Sequence, residues 1–164
     1  MNFNDELTLL LKARYPIIYI NTIEEDRVEY VIRKNIKTNL NRSVYSWDFV
    51  DGYTNNPNNK GFAKRNPLQA LELVERLTAE TPALFLLKDF NRFLTDVSIS
   101  RKLKNISRLL KLQPKTIIII GSELNIPKEL QDLITILNFH LPIDNEIGQE
   151  LNRLIISLNI EVDS

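Results

Sequence analysis

Residues 15–28 read Tyr15-Pro16-Ile17-Ile18-Tyr19-Ile20-Asn21-Thr22-Ile23-Glu24-Glu25-Asp26-Arg27-Val28, an apolar strand running straight into a charged helix. In an α/β protein this first strand-to-helix turn is where a phosphate-binding loop sits. Such a loop needs glycines, so that backbone N–H groups can approach phosphate, and then a Lys and a Ser or Thr. Here the turn is Asn21-Thr22-Ile23-Glu24-Glu25-Asp26, with no Gly, no Lys and three consecutive acids. A helix N-terminus lined with carboxylates is already neutralised and repels an anion. The stretch predicts a nucleotide-type architecture whose phosphate site is missing.

The rest of the chain extends this pattern. Before the strand, Leu7, Leu10 and Leu11 follow Asn4-Asp5 at helical spacing, which predicts a helix over 4–13. After it, Ile23, Val28, Val31, Ile32 and Ile36 mark one helical face running to about Thr38. A second strand is expected at 43–47, then a long polar loop over 48–66 rich in turn residues. Pro67 opens a helix carrying Leu68, Leu71, Val74 and Leu77. Residues 83–87, Ala-Leu-Phe-Leu-Leu, are apolar throughout, as suits a strand covered on both faces. A helix over about 96–112 buries Ile99, Leu103, Ile106, Leu109 and Leu110. The β-branched run 116–120, a short helix at 127–130 and a strand at 134–139 follow. An amphipathic helix over about 144–158 carries Ile147, Leu151, Leu154, Ile155 and Leu158. Strands alternating with helices five times predict a three-layer α/β sandwich around a five-stranded, mainly parallel sheet. Residues 1–142 form the α/β domain of this reading, and 143–164 begin a helical lid or a linker to a missing C-terminal domain.

Composition excludes several classes. Lys plus Arg equals Asp plus Glu, 21 each, so bulk charge gives no drive toward nucleic acid. The absence of Cys removes disulfides, thiolate metal sites and cysteine nucleophiles. The single His, His140, rules out a multi-histidine metal centre and reads as a structural residue at a strand end. No stretch approaches the roughly 20 apolar residues that span a bilayer. The acidic start, Asn2-Phe3-Asn4-Asp5-Glu6, is neither a signal nor a transit peptide. Heavy use of Asn, Ile and Lys fits an AT-rich genome, such as that of a plastid or of an AT-rich bacterium.

Ligands of a doubly wound sheet bind at the carboxyl ends of its strands. The run Leu84-Phe85-Leu86-Leu87-Lys88-Asp89 has the shape of a Walker B strand. A working version needs one acid to hold the magnesium water shell and a second to activate water. Lys88 replaces the first acid and would repel the metal, so the run also reads as an ordinary strand with a solvated Lys-Asp end. Ile117-Ile118-Ile119-Ile120-Gly121-Ser122 resembles a sensor strand, in which Ser122 would face a phosphate, while Gly121 suits a tight turn. Lys88, Asp89 and Ser122 are the nucleotide-site candidates. Asp48 and Asp89 are the metal candidates, with Glu24, Asp26, Asp51 and Glu123 at other strand ends. Such acids leave open a Mg-dependent nuclease or a receiver-like phosphoacceptor domain, although the Lys expected after the fifth strand is absent. Tyr45 and Trp47 read as core. Lys60, Phe62, Lys64 and Arg65 form a basic loop with one aromatic, a candidate partner-binding segment.

The order of these runs, continuing through Leu124-Asn125-Ile126-Pro127-Lys128-Glu129-Leu130 and Leu137-Asn138-Phe139-His140-Leu141-Pro142, resembles an AAA-type ATPase core. The opening Tyr15–Ile20 and Thr22–Val28 runs resemble, more narrowly, the N-terminal domain of AAA-like proteins encoded in algal plastids and cyanobacteria. That resemblance covers essentially the whole chain. It implies a degenerate, non-catalytic AAA-like domain without a P-loop, followed by a working ATPase domain that would hold ATP and Mg. It also implies an assembly or regulatory role linked to photosynthesis and CO2 utilisation, in a chloroplast or the cyanobacterial cytoplasm. The partners implied are the protein's own ATPase domain and further copies of itself, with nucleic acid and membrane insertion disfavoured. No catalytic or cofactor-binding residue carries over. The phosphate loop is absent, the Walker B run is broken at Lys88, and the helix at 127–130 offers no arginine.

Overall fold

The computed structural model describes residues 2–39, 41–54, 60–77 and 79–139. A six-stranded sheet of order β3-β2-β4-β5-β1-β6 forms its middle layer. The strands are β1 (Ile17–Asn21), β2 (Ser43–Asp48), β3 (Gly52–Tyr53), β4 (Ala83–Lys88), β5 (Lys115–Gly121) and β6 (Ile134–Asn138). All neighbouring pairs are parallel except β2 with β3. In register, Ile18 faces Ile118 on one side and Thr135 on the other.

Alternation along the strands sends side chains to two cores. Ile18, Ile20, Leu84, Leu86, Ile118, Ile120 and Leu137 pack under α1 (Phe3–Lys12) and α2 (Glu25–Asn39). Ile17, Tyr19, Trp47, Phe85, Leu87, Ile117 and Ile119 pack under α3 (Pro67–Arg76) and α4 (Val97–Leu110). The central strands are buried on both faces, which is why they read as unbroken apolar runs. Local chemistry sets the helix boundaries. Asn2, Asn66 and Asp96 accept the first free backbone N–H groups of α1, α3 and α4. Lys115 enters β5 almost fully buried and donates to the carbonyls of Val74 (3.0 Å) and Leu77 (2.6 Å), closing the C-terminal end of α3.

The structure corrects the sequence reading in four places. The sheet has six strands, not five. The extra strand, β3, lies inside the stretch read as a loop and is too short to show periodicity. Asp48 makes the turn into it, its side chain accepting from the backbone N–H groups of Val50 and Asp51. Gly52 is required there, with φ +69° and the carbonyl of Gly61 only 2.8 Å from where a Cβ would sit. Ile23 is not on the buried face of α2; it is 87% exposed in the turn, because the helix begins at Glu25. Leu109 is also not buried but 43% exposed. A 3-10 helix, Phe90–Phe93, intervenes after β4, entered by Asp89 in the left-handed region at φ +58°. The expected helix at 144–158, the 143–164 lid or linker, and His140 lie outside the described residues.

Candidate functional site

The carboxyl ends of the strands form one edge of the sheet. Lys88 closes β4 there, on the α2 side. Its Nζ lies 2.8 Å from Glu29 Oε1, and the two side chains are only 18% and 17% exposed. The other carboxylate oxygen, Glu29 Oε2, accepts from Arg33 Nε at 2.9 Å and from Ser46 Oγ at 2.6 Å. Arg33 also donates to Ser46 Oγ at 2.6 Å. Burial alone would raise the Glu29 pKa, but the bonds from Lys88, Ser46 and Arg33 outweigh it and hold the carboxyl at about 2. Burial alone would lower Lys88, and its bond to Glu29 outweighs that and raises it. Lys88 is therefore not a solvated strand end. It is a fixed cation, committed to an acid on α2, at the position where a Walker B strand carries its first acid.

Beside this network a cleft of about 590 Å³ is lined by Glu25, Asp48, Phe49, Val50, Lys88, Asp89, Arg92 and Phe93. The cleft brings together both metal candidates, Asp48 and Asp89, and one nucleotide-site candidate, Lys88. Glu25 faces the same space, and its pKa is raised by burial and then by Asp89, with Lys88 opposing. Among the described residues, no group of three or more His, Asp or Glu side chains is placed to hold a metal ion.

The crevice between β1 and β5 is the topological switch point. The chain leaves β1 toward the α2 face, whereas the connection after β5 buries Leu130 in the opposite core. Backbone closes this crevice. Thr22 N donates to Gly121 O at 2.8 Å, and Thr22 Oγ1 accepts from Glu24 N at 3.0 Å. A Cβ on Gly121 would press on Asn91 Oδ1 and lie 2.8 Å from the Tyr19 hydroxyl. That hydroxyl donates to the Glu123 carbonyl. Gly121 thus admits side chains from two neighbouring elements, a closer constraint than the tight turn expected of it. Ser122 is exposed and does not line the cleft that holds Lys88 and Asp89.

The basic loop is anchored at several points. Phe62 packs against the α3/α4 core with the Arg76 guanidinium 4.5 Å over its ring. Trp47 Nε1 donates to Ala63 O at 2.9 Å, and Arg65 N donates to Phe49 O at 2.7 Å. Lys60, Lys64 and Arg65 are exposed, so the charges face solvent while the aromatic turns inward. Trp47 is fully buried and Tyr45 stacks on Phe85 at 5.4 Å, both as core residues.

Residues 3–139 match the family model described as the SpoVK-like AAA ATPase, N-terminal domain. The chain belongs to this family. It is 83% identical over 163 residues to the AAA domain-containing protein ycf46 of Trieres chinensis, covering 99% of this chain and 33% of that one. To the ycf46 protein of Pyropia yezoensis it is 53% identical over 164 residues, covering 100% and 33%. The chain spans about a third of the length of these curated relatives. A solved chain titled Structure of Drosophila ORC bound to AT-rich DNA and Cdc6 superposes with a TM-score of 0.47 at 13% identity, covering 97% of this chain and 68% of that one.

Within the SpoVK-like N-terminal domain, the residues that sequence reasoning missed are Glu29, Arg33 and Ser46. Their signal is present but indirect. Glu29 and Arg33 stand four apart, and a Lys ending a buried strand requires a nearby acid. Only the fold shows that α2 supplies it.

Proposed function

We propose that this SpoVK-like N-terminal domain is a non-catalytic assembly or regulatory unit of an AAA ATPase, with hydrolysis carried by the remainder of the protein. The observation that carries this reading is the Lys88–Glu29 pair. It sets a neutralised cation, rather than a free carboxylate, at the Walker B position. The acidic turn at Glu24-Glu25-Asp26 supports the same reading, since it opposes a phosphate at the start of α2. On this reading the domain needs no cofactor of its own, and ATP and Mg belong to the following domain. Its partners are that ATPase domain and further copies of the protein. The similarity to ycf46 proteins of algae supports a setting in a plastid; the role in photosynthesis and CO2 utilisation, and the cyanobacterial alternative, rest on the sequence resemblance alone.

The reading is tested in the full-length protein. Asp89→Asn in this domain leaves the kcat for ATP unchanged, while deletion of residues 1–139 alters oligomeric state or the regulation of hydrolysis. Loss of ATP hydrolysis in Asp89→Asn would overturn it. Impaired growth at low CO2 after disruption of the gene, restored by re-expression, is the expected physiological result; normal growth would refute that part.

A further inference from the structure

The sheet carries opposite chemistry at the two ends of its strands. At the carboxyl end, the turn from β2 into β3 reads Asp48-Phe49-Val50-Asp51. Val50 is 63% and Phe49 39% exposed, and Asp51 faces solvent beside them. The turn is held in one shape. Asp48 Oδ1 accepts from Val50 N at 2.9 Å and from Asp51 N at 2.8 Å, and the Phe49 ring lies 5.5 Å from that of Phe93. Apolar side chains exposed on a fixed turn between two carboxylates make a preformed knob. At the amino end, the chain passes from α1 into β1 through Ala13-Arg14-Tyr15-Pro16. These residues and Lys111 line a groove of about 550 Å³. The segment is fixed as well. Arg14 N donates to Leu11 O and Tyr15 N to Leu10 O, each at 3.1 Å, and Pro16 O accepts from Ile117 N at 3.0 Å. Arg14 holds φ +59° just past the end of α1, a position that glycine takes at less cost. Its charge reaches the neighbouring Arg42, whose pKa is pushed down first by burial and then by Arg14. Among the described residues, neither Arg14 nor Lys111 takes part in an ion pair.

We propose that the Asp48–Asp51 turn of one copy of this chain docks in the Arg14–Lys111 groove of the next copy. This rests on the reading above that further copies are partners, and it names the two surfaces through which they meet. The chemistry matches on both counts. Two carboxylates meet two cations, and Phe49 and Val50 meet Ala13, Tyr15 and Pro16. The chain has equal numbers of acids and bases, 21 each, so its neutral total conceals the opposed ends. β2 and β4 are six residues long, which sets the two ends about 20 Å apart. A copy therefore cannot fill its own groove. The contact is heterologous, one surface meeting a different one, so it passes from copy to copy instead of stopping at two. Because turn and groove are both held by backbone hydrogen bonds, docking orders little that is not already ordered.

Sedimentation velocity of the 164-residue chain over a range of concentration and salt tests the contact. The expected result is a mass that rises with concentration past that of a dimer. High salt should weaken the association at least about tenfold, because exposed charges are screened. Two variants locate the surfaces. Arg14→Asn with Lys111→Gln removes the groove's cations, and Val50→Ser with Asp51→Asn blunts the turn. All four positions are exposed, so both variants keep the fold. Each variant alone should stay monomeric. Mixed in equal amounts, they should form a dimer that grows no further, because the first keeps an intact turn and the second an intact groove. That reciprocal rescue also shows that each variant is folded. Wild type that stays monomeric at every concentration, wild type that stops at a dimer, or a groove variant that associates as wild type does would each overturn the proposal. So would a mixture that yields no dimer. None of these results bears on nucleotide binding, so failure of this contact is distinct from failure of the non-catalytic reading.

Discussion

Replacing Glu29 with Gln tests the feature on which the functional reading rests. The substitution keeps the shape and removes the negative charge that Lys88 and Arg33 share. Folding holds the Glu29 carboxyl at about 2, well below its ordinary 4.5; at about 1.36 kcal/mol per tenfold change this corresponds to roughly 3 kcal/mol. Glu29 and Lys88 are mostly buried, but Arg33 is 32% exposed and solvent screens part of the interaction. A cost of about 2–3 kcal/mol is therefore expected at neutral pH. For a domain of this size it corresponds to a Tm lower by about 5–10 °C. The pH dependence has a fixed sign. The Glu29 pKa is depressed by folding, so its contribution is complete above the unfolded value near 4.5 and disappears as pH falls toward 2. The gap between wild type and Glu29→Gln should thus narrow between about pH 5 and pH 2, with more than half gone near pH 3. Thermal and urea unfolding of both proteins across pH 7 to 3 supply the measurement. A Tm within 2 °C of wild type at pH 7, or a gap that stays constant down to pH 3, would refute the reasoning.

Gly121→Ala sets a methyl against Asn91 and the Tyr19 hydroxyl and should cost about 1–3 kcal/mol. Adding Asn91→Ala should recover part of that in urea unfolding, and no recovery would show that the strain lies elsewhere. Lys115→Met leaves the Val74 and Leu77 carbonyls at the end of α3 without their donor, so unfolding should be easier by about 1–3 kcal/mol. Replacing Lys60, Lys64 and Arg65 together by Ala should change stability by no more than about 0.5 kcal/mol, since all three are exposed. Phe62→Ala should cost about 2 kcal/mol or more, because its ring packs on the core beneath Arg76. Equal effects from the two changes would refute the inward placement of Phe62.

The strands that the sequence displays best are those buried on both faces. Residues 83–87 and 116–120 are apolar without interruption because helices cover them above and below. Pro67 with Asn66, and Asp96 before Val97, mark two helix starts through capping chemistry that is local in sequence. What escapes is non-local or too short. β3 holds two residues and depends on Phe62 and Gly61 from beyond its own turn. Lys115 is a charged residue at the head of a buried strand, and its partners are carbonyls some forty positions earlier. At the candidate site, Lys88 is conspicuous in the sequence as a misplaced cation, but Glu29 meets it, and Ser46 meets Glu29, only through the packing of α2 on β2 and β4. Asp48 and Asp89 are visible as strand-end acids, and their shared cleft follows from the β2–β4 pairing.

The central claim is that this domain carries no working nucleotide site, and calorimetric titration of the 164-residue chain with ATP and ADP, each with and without Mg²⁺, tests it most directly. The account predicts no saturable heat up to millimolar nucleotide. Saturable binding at micromolar concentration, strengthened by Mg²⁺ and lost in Asp89→Asn, would contradict it.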